Sequence, residues 1–295
     1  MRPVRGHRMP KALLRCLALL ALLASTSGQA QTAPKVTEIG GSPKSFLFVG
    51  NSFFYYNNSL HAVFIDFVRA ADKANAAQYR ATSATISGSG LNWHDMDAYL
   101  RPGSGMASYS FVGDNEVVFN SFDKPFDLVI MNDCSQCPIH PKLSGLFHEY
   151  AKKHSDTVRQ RGATPVLFMT WAYADKPEMT RPLAEEYVKA GNDNDVLVIP
   201  AGVAFANALA RKPDLVLHAS DKRHPSPAGT YLGAATAYAA LFRRAPAESA
   251  AAMPGVDAET AKLLRSVAWE TVSAFYSRQP EHASNTSPVG QGSSK

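Results

Sequence analysis

Five short apolar runs, each followed by a stretch of helical periodicity, constrain this chain more than any other feature: Ser45–Val49, Arg80–Ile86, Asp127–Met131, Pro165–Thr170 and Asp195–Ile199. Alternation of this kind argues a parallel sheet with helices on both faces, because parallel strands need long crossovers and a parallel sheet buries both sides. The spacing predicts helices over Leu60–Ala74, Leu143–Arg161, Arg181–Ala190, Gly202–Ala210, Ser226–Phe242 and Ala258–Ser277, the last entered from Asp257 as an N-cap. Between Leu91 and Phe126 the periodicity fails, and a helix plus a long excursion over one side of the site is expected there. Ligands of such open sheets bind at the carboxyl ends of the strands, so chemistry is expected just after each apolar run.

The ends of the chain fall outside this pattern. Arg2, Arg5, Arg8, Lys11 and Arg15 precede or border an uncharged run from Cys16 to Ala24, followed by Gly28-Gln29-Ala30. This reads as a secretory signal peptide over residues 1–30, cleaved near Ala30, whose apolar core is too short for a stable membrane insertion. Five basic residues leave with it and the remainder is electrically neutral, so nucleic acid is not an expected partner. Residues 31–43 read as a short leader, 44–278 as one α/β domain, and 279–295, "QPEHASNTSPVGQGSSK", as a disordered polar tail. The expected location is the periplasm or the medium.

Three strand ends and one loop carry the chemistry. Ser52 follows the first run in "FVGNSF", and "DKRHPSPAG" places Asp221 three residues before His224. A serine hydroxyl needs an imidazole to take its proton, and the imidazole needs a carboxylate to fix its tautomer. Asp-x-x-His supplies both from one turn. Gly88 in "ISGSG" and Asn132 in "IMND" end the second and third runs, and with the N–H of Ser52 they would form an oxyanion hole.

These four blocks, in this order, resemble the SGNH hydrolases, also called the GDSL-like esterases, over roughly Ser45 to Phe242. The resemblance implies Ser52 as nucleophile, His224 as general base, Asp221 as its orienter, and Ser52, Gly88 and Asn132 as oxyanion donors. It also implies a flavodoxin-like three-layer α/β/α sandwich around a central, mostly parallel five-stranded sheet. Two positions depart from the family's pattern: Asn51 stands where aspartate is usual, and Met131 precedes Asn132 without the usual glycine, which leaves Gln136 as a competing oxyanion donor.

Other residues are candidates for lining the pocket: Asn51, Trp93, His94 and Gln136, with Trp171 and Tyr173 at the end of the fourth run. Export leaves Cys134 and Cys137 in "CSQCP", read as a structural disulfide; the competing reading is a thiol–disulfide oxidoreductase. His140, His148 and His154 lack the spacing of a metal pair on a helix face, and neither metal nor cofactor is expected. The expected function is hydrolysis of a small-molecule or glycan ester through an acyl-enzyme. Acyl transfer to a sugar hydroxyl, or binding by a chain with a dead site, remain the alternatives.

Overall fold

The computed structural model describes residues 32–278 apart from 105, 107, 108, 114, 115, 121 and 249–252. The expected signal peptide and polar tail lie outside the described residues. The chain enters through β1 (Ser45–Gly50), all six of whose residues are buried. β2 (Arg80–Thr85) pairs with it in parallel on one side and stays half-buried, as an edge strand with one neighbour does. β3 (Tyr109–Gly113) and β4 (Glu116–Phe119) form a separate antiparallel hairpin. β5 (Leu128–Met131), β6 (Thr164–Phe168) and β7 (Leu197–Ile199) complete a five-stranded sheet of order β2-β1-β5-β6-β7, parallel throughout. The expected three-layer α/β/α sandwich is present.

The strand order reverses at β1. From β1 the chain crosses to β2 on one side, then returns to β5 on the other, so a crevice opens between the carboxyl ends of β1 and β5. Two of the predicted strand-end residues, Ser52 and Asn132, lie at this reversal.

Helices cover both faces. α1 (Ser52–Tyr55) is a single turn that begins at the serine, and α2 (Leu60–Ala71) follows it. α3 (Met96–Leu100), α4 (Ser144–Gln160) and α5 (Thr180–Asn194) form one packed group, and α2 joins α6 (Ala201–Arg211), α7 (Pro227–Phe242) and α8 (Ala258–Tyr276) in another. α7 is buried from Ala228 to Leu241 on every face, which its run of alanines, glycines and apolar residues permits. Asp257 caps α8 as expected, its Oδ1 accepting from the Thr260 N–H at 2.8 Å. No described helix is long and apolar enough to cross a membrane.

The Leu91–Phe126 stretch differs in part from expectation. It holds a one-turn 3-10 segment at Leu91–Trp93, the short α3 and the β3–β4 hairpin. Only its first residues, Asn92 and Trp93, line a cavity at the strand ends. Residues 32–43 carry no regular element, but Asn192 of α5 holds them: its Oδ1 accepts from the Lys35 N–H at 2.7 Å and its Nδ2 donates to the Ala33 carbonyl at 3.0 Å.

Candidate active site

Ser52 is placed by its neighbour. Asn51 is extended, and its Oδ1 accepts from the Phe53 N–H at 3.1 Å, so the chain turns from strand into helix within one residue. The Asn51 Nδ2 donates to the carbonyls of Ser89 at 2.9 Å and Asp133 at 3.1 Å. One buried amide therefore clasps the loops after β1, β2 and β5. This corrects the expectation that Asn51 lines the pocket: its hydrogen-bonding groups are spent on backbone.

The base arrives from the far end of the domain. The Ser52 hydroxyl is 2.8 Å from Nε2 of His224, and Nδ1 of His224 is hydrogen-bonded to Oδ2 of Asp221. Ionised aspartate can only accept, so Nδ1 carries the proton and Nε2 is the acceptor for the serine. The other oxygen of Asp221 accepts from the N–H groups of Arg223 and His224, both at 2.9 Å. The hydrogen bond from His224 dominates in holding the Asp221 carboxyl well below its ordinary range, at about 2. Asp221 therefore stays charged at any pH where the imidazole can act as a base.

The loop bearing these two residues is held from three sides. The Trp171 indole N–H donates to the Arg223 carbonyl at 3.0 Å, and the Ala174 N–H to the Lys222 carbonyl at 2.9 Å. Asn57, just past α1, donates from Nδ2 to the Pro225 carbonyl and to Thr230 Oγ1, both at 2.9 Å. Asn57, Asn58 and Ser59 all have positive φ, from 54° to 71°. Asparagine tolerates that region, and serine adopts it at a cost of about 1–3 kcal/mol, which the surrounding contacts must overcome. Tyr56 lies flat on the His224 imidazole, ring centroids 4.2 Å apart and planes 2° from parallel.

The electrophilic side is assembled around Gly50 and Gly88. Asn132 ends β5 beside β1, its backbone N–H donating to the Val49 carbonyl at 3.1 Å. Its side chain lies over Gly50 so closely that a Cβ there would overlap the amide oxygen. Both polar atoms of this amide are buried without a protein partner. An unpaired buried polar group costs about 1–3 kcal/mol, and an arriving oxyanion would relieve that for the N–H. Gly88 has φ of +72°, a conformation favouring glycine, and is exposed at the head of the loop after β2. Gln136 instead is the exposed cap of a 3-10 turn, five residues beyond the strand. The geometry favours Asn132 over Gln136.

Three more expectations are corrected by burial. His94 is buried, not pocket-lining. The Ser89 hydroxyl donates to the Gly50 carbonyl at 3.1 Å, so His94 Nε2–H is the donor to Ser89 at 3.0 Å; burial lowers the imidazole to about 4, keeping it neutral. Trp171 is fully buried against Phe53 and Phe205. Tyr173 is buried with its hydroxyl on Ser135 at 2.7 Å and the Arg223 guanidinium over its ring. Trp93 alone of the expected aromatics stands open, 59% exposed.

Beside Gly88 lies a cavity of about 280 Å3, which Trp93, Asp133 and the Cys134–Cys137 disulfide also line. Cys137 opens a three-residue 3-10 turn, while the next long helix, α4, begins only at Ser144. The pair thus lacks the helix amino terminus that would activate a thiolate. A larger cavity, about 580 Å3, opens at the amino-terminal end of the sheet beside Pro43 and Tyr79, away from these groups.

Tyr56, Asn57, Ser89 and Asp133 were not anticipated. Asp133 had a readable signal, a carboxylate two residues past the end of a buried strand. The others act through contacts across the fold that no local pattern announces.

No protein-family model matches the chain, and no curated protein matches it. Among solved structures, it resembles a DUF4886 family protein from Bacteroides uniformis, with a TM-score of 0.54 at 18% identity over 80% of this chain and 97% of that one. It also resembles a member of the lipolytic protein G-D-S-L family from Veillonella parvula, with a TM-score of 0.47 at 11% identity over 68% and 99% of the two chains. A catalytic mutant of an acetylxylan esterase from Geobacillus stearothermophilus gives 0.44 at 16% identity over 65% and 91%. The first of these likenesses is one of fold.

Proposed function

We propose that this chain is a serine esterase of the SGNH type. Ser52 attacks an ester carbonyl while His224 takes the hydroxyl proton on Nε2; that proton then goes to the departing alcohol. Water, deprotonated by the same nitrogen, hydrolyses the acyl group from Ser52 Oγ and releases the carboxylic acid. Asp221 keeps Nδ1 protonated and offsets the charge of the imidazolium. The N–H groups of Ser52 and Gly88 and the Asn132 amide receive the carbonyl oxygen as it gains charge.

The observation that carries this reading is the continuous hydrogen-bonded chain from Ser52 through His224 to Asp221, built from segments 172 residues apart. We further infer that the protein is exported; the charged and then apolar character of residues 1–30, together with the bonded Cys134–Cys137 pair, supports this.

The test is hydrolysis of p-nitrophenyl acetate by the wild type and by Ser52→Ala. Turnover should fall at least about a thousandfold, as expected for loss of a nucleophile, with the melting temperature preserved. An unchanged rate in the variant would end the serine mechanism. Export is read separately, by locating the protein after cell fractionation.

A further inference from the structure

The 280 Å3 cavity beside Gly88 contains groups that the acyl-transfer machinery does not use. Its walls are Leu143, Leu146 and the Cys134–Cys137 disulfide, and its polar groups include Asn92 and Asp133. Asp133 is only 3% exposed. Its Oδ1 accepts from the N–H groups of Leu91 at 2.9 Å and Cys134 at 2.8 Å, while its Oδ2 has no partner among the described residues. A carboxylate oxygen at a cavity wall with no protein donor is free to accept one from a ligand. Trp93, the one aromatic residue among those lining the cavity, has its ring largely open to solvent.

These features select among ester substrates. A long acyl chain would fill the apolar part and leave Asp133 Oδ2 unpaired. An aryl group would stack on Trp93 and likewise bring no donor. A quaternary ammonium brings charge, but such groups are held by cages of several aromatic rings, and this cavity has one. A sugar ring has an apolar C–H face for the indole and hydroxyl donors at its edge for an acceptor-only carboxylate. The volume lies just below the ordinary range for small-molecule pockets, about 300–1,000 Å3, which suits one ring and not an extended chain.

We propose that this cavity is a subsite for a single hydroxylated ring, a sugar or cyclic polyol unit of the ester substrate, stacked on Trp93 and donating a hydroxyl to Asp133 Oδ2. This rests on the esterase reading for the placement of the scissile ester beside Gly88. Binding of the ring itself does not depend on turnover.

The experiment compares kcat/KM for an O-acetylated methyl glycoside, p-nitrophenyl acetate and acetylcholine, which share one acyl group. Wild type, Trp93→Ala, Trp93→Tyr and Asp133→Asn are measured, each checked for folding by melting. The ratio of sugar ester to aryl ester should fall about tenfold in Trp93→Ala and about fivefold in Asp133→Asn, where a neutral hydrogen bond replaces a charge-assisted one. Trp93→Tyr should hold the ratio within about threefold. An unchanged ratio in both Trp93→Ala and Asp133→Asn overturns the subsite, as does a loss concentrated on acetylcholine. A second arm titrates the unacetylated methyl glycoside into Ser52→Ala while following the Trp93 indole N–H by NMR, with Trp93→Phe to assign the signal. Movement of that signal supports the subsite even if no ester is turned over, and its silence at saturating sugar refutes the subsite even if esters are hydrolysed.

Discussion

Gly50→Ala should damage catalysis without replacing a catalytic group. A Cβ at residue 50 would overlap Oδ1 of Asn132 and lie 2.7 Å from its Cγ and 3.1 Å from Cδ2 of Phe54. The phenyl ring can yield by a few tenths of an ångström. The amide cannot, since Asn132 is fixed by its backbone bond to Val49 and has to turn away about χ1. An oxyanion donor moved out of reach costs about 10²–10³ in kcat, roughly 3–4 kcal/mol of transition-state stabilisation. Asn132→Ala should cost the same. The double variant Gly50→Ala/Asn132→Ala decides the mechanism, because with the amide gone the new methyl has nothing left to displace. It should therefore be no slower than Asn132→Ala alone, a coupling of the full 3–4 kcal/mol. Steady-state hydrolysis of p-nitrophenyl acetate measures all three, with melting curves to exclude unfolding. Losses that simply add would mean that Gly50 acts independently of Asn132. Asn132→Ala within threefold of wild type would pass the role of donor to Gln136.

Burial pushes the Asp133 carboxyl up to about 6, so between pH 4 and 6 the folded state binds its proton more tightly than the unfolded chain does. Stability from this group is therefore greatest below about pH 4 and falls as pH rises through 6; Asp133→Asn, which can keep the Leu91 and Cys134 hydrogen bonds, should gain about 2–3 kcal/mol at pH 7 and far less at pH 4, read as melting temperature. A gain that is equal at both values would refute the burial account. Cys134→Ser/Cys137→Ser opens a loop of four residues and should cost about 2 kcal/mol in denaturant unfolding, with aryl-ester turnover still measurable. Reductase activity in the wild type that vanishes in this double variant would instead revive the redox reading. Tyr56→Ala removes the ring stacked on His224, and loss of its contact with the imidazolium should lower kcat about 2- to 30-fold, whereas Tyr56→Phe keeps the ring and most of the rate. Equal losses in the two variants would assign the effect to the hydroxyl.

Four of the five sheet strands were legible as buried apolar runs bounded by polar turns, and the half-buried edge strand β2 also appears where the alternation puts it. The helices were legible to within a few residues, with α5 the main exception. Its extension through Gly191-Asn192-Asp193-Asn194 looks like a loop in sequence. Tertiary contact overrides that preference, since Asn192 is anchored to residues 33 and 35 and Asn194 Nδ2 bonds back to the Ala190 carbonyl. Of the site, the groups whose pattern suits nucleophilic catalysis were readable: Ser52 at a strand end and Asp221 three residues before His224, now joined by hydrogen bonds from Ser52 through His224 to Asp221. The pocket walls were not. Trp171, Tyr173 and His94 all follow strands, as a wall residue would, and nothing local says that their polar atoms have backbone or side-chain partners inside the fold.

The residues missed share a physical role that explains why they were missed. A nucleophile at the start of α1 and a base before α7 belong to segments with no local reason to align, and hydrogen bonding between Ser52 and His224 demands placement to within a few tenths of an ångström. Asn57 supplies part of that placement, reaching from the turn after Ser52 to the carbonyl of Pro225, the residue after His224. Trp171 holds the same loop one residue before His224, and Tyr56 restrains the ring itself. Each is an ordinary core or turn residue by type, and each works only because the chain has already folded. The three consecutive positive-φ residues at Asn57, Asn58 and Ser59 are the local mark of that work. Backbone that costs energy is kept where it brings a side chain across to the catalytic loop, and here it joins the two halves of the Ser52–His224 pair.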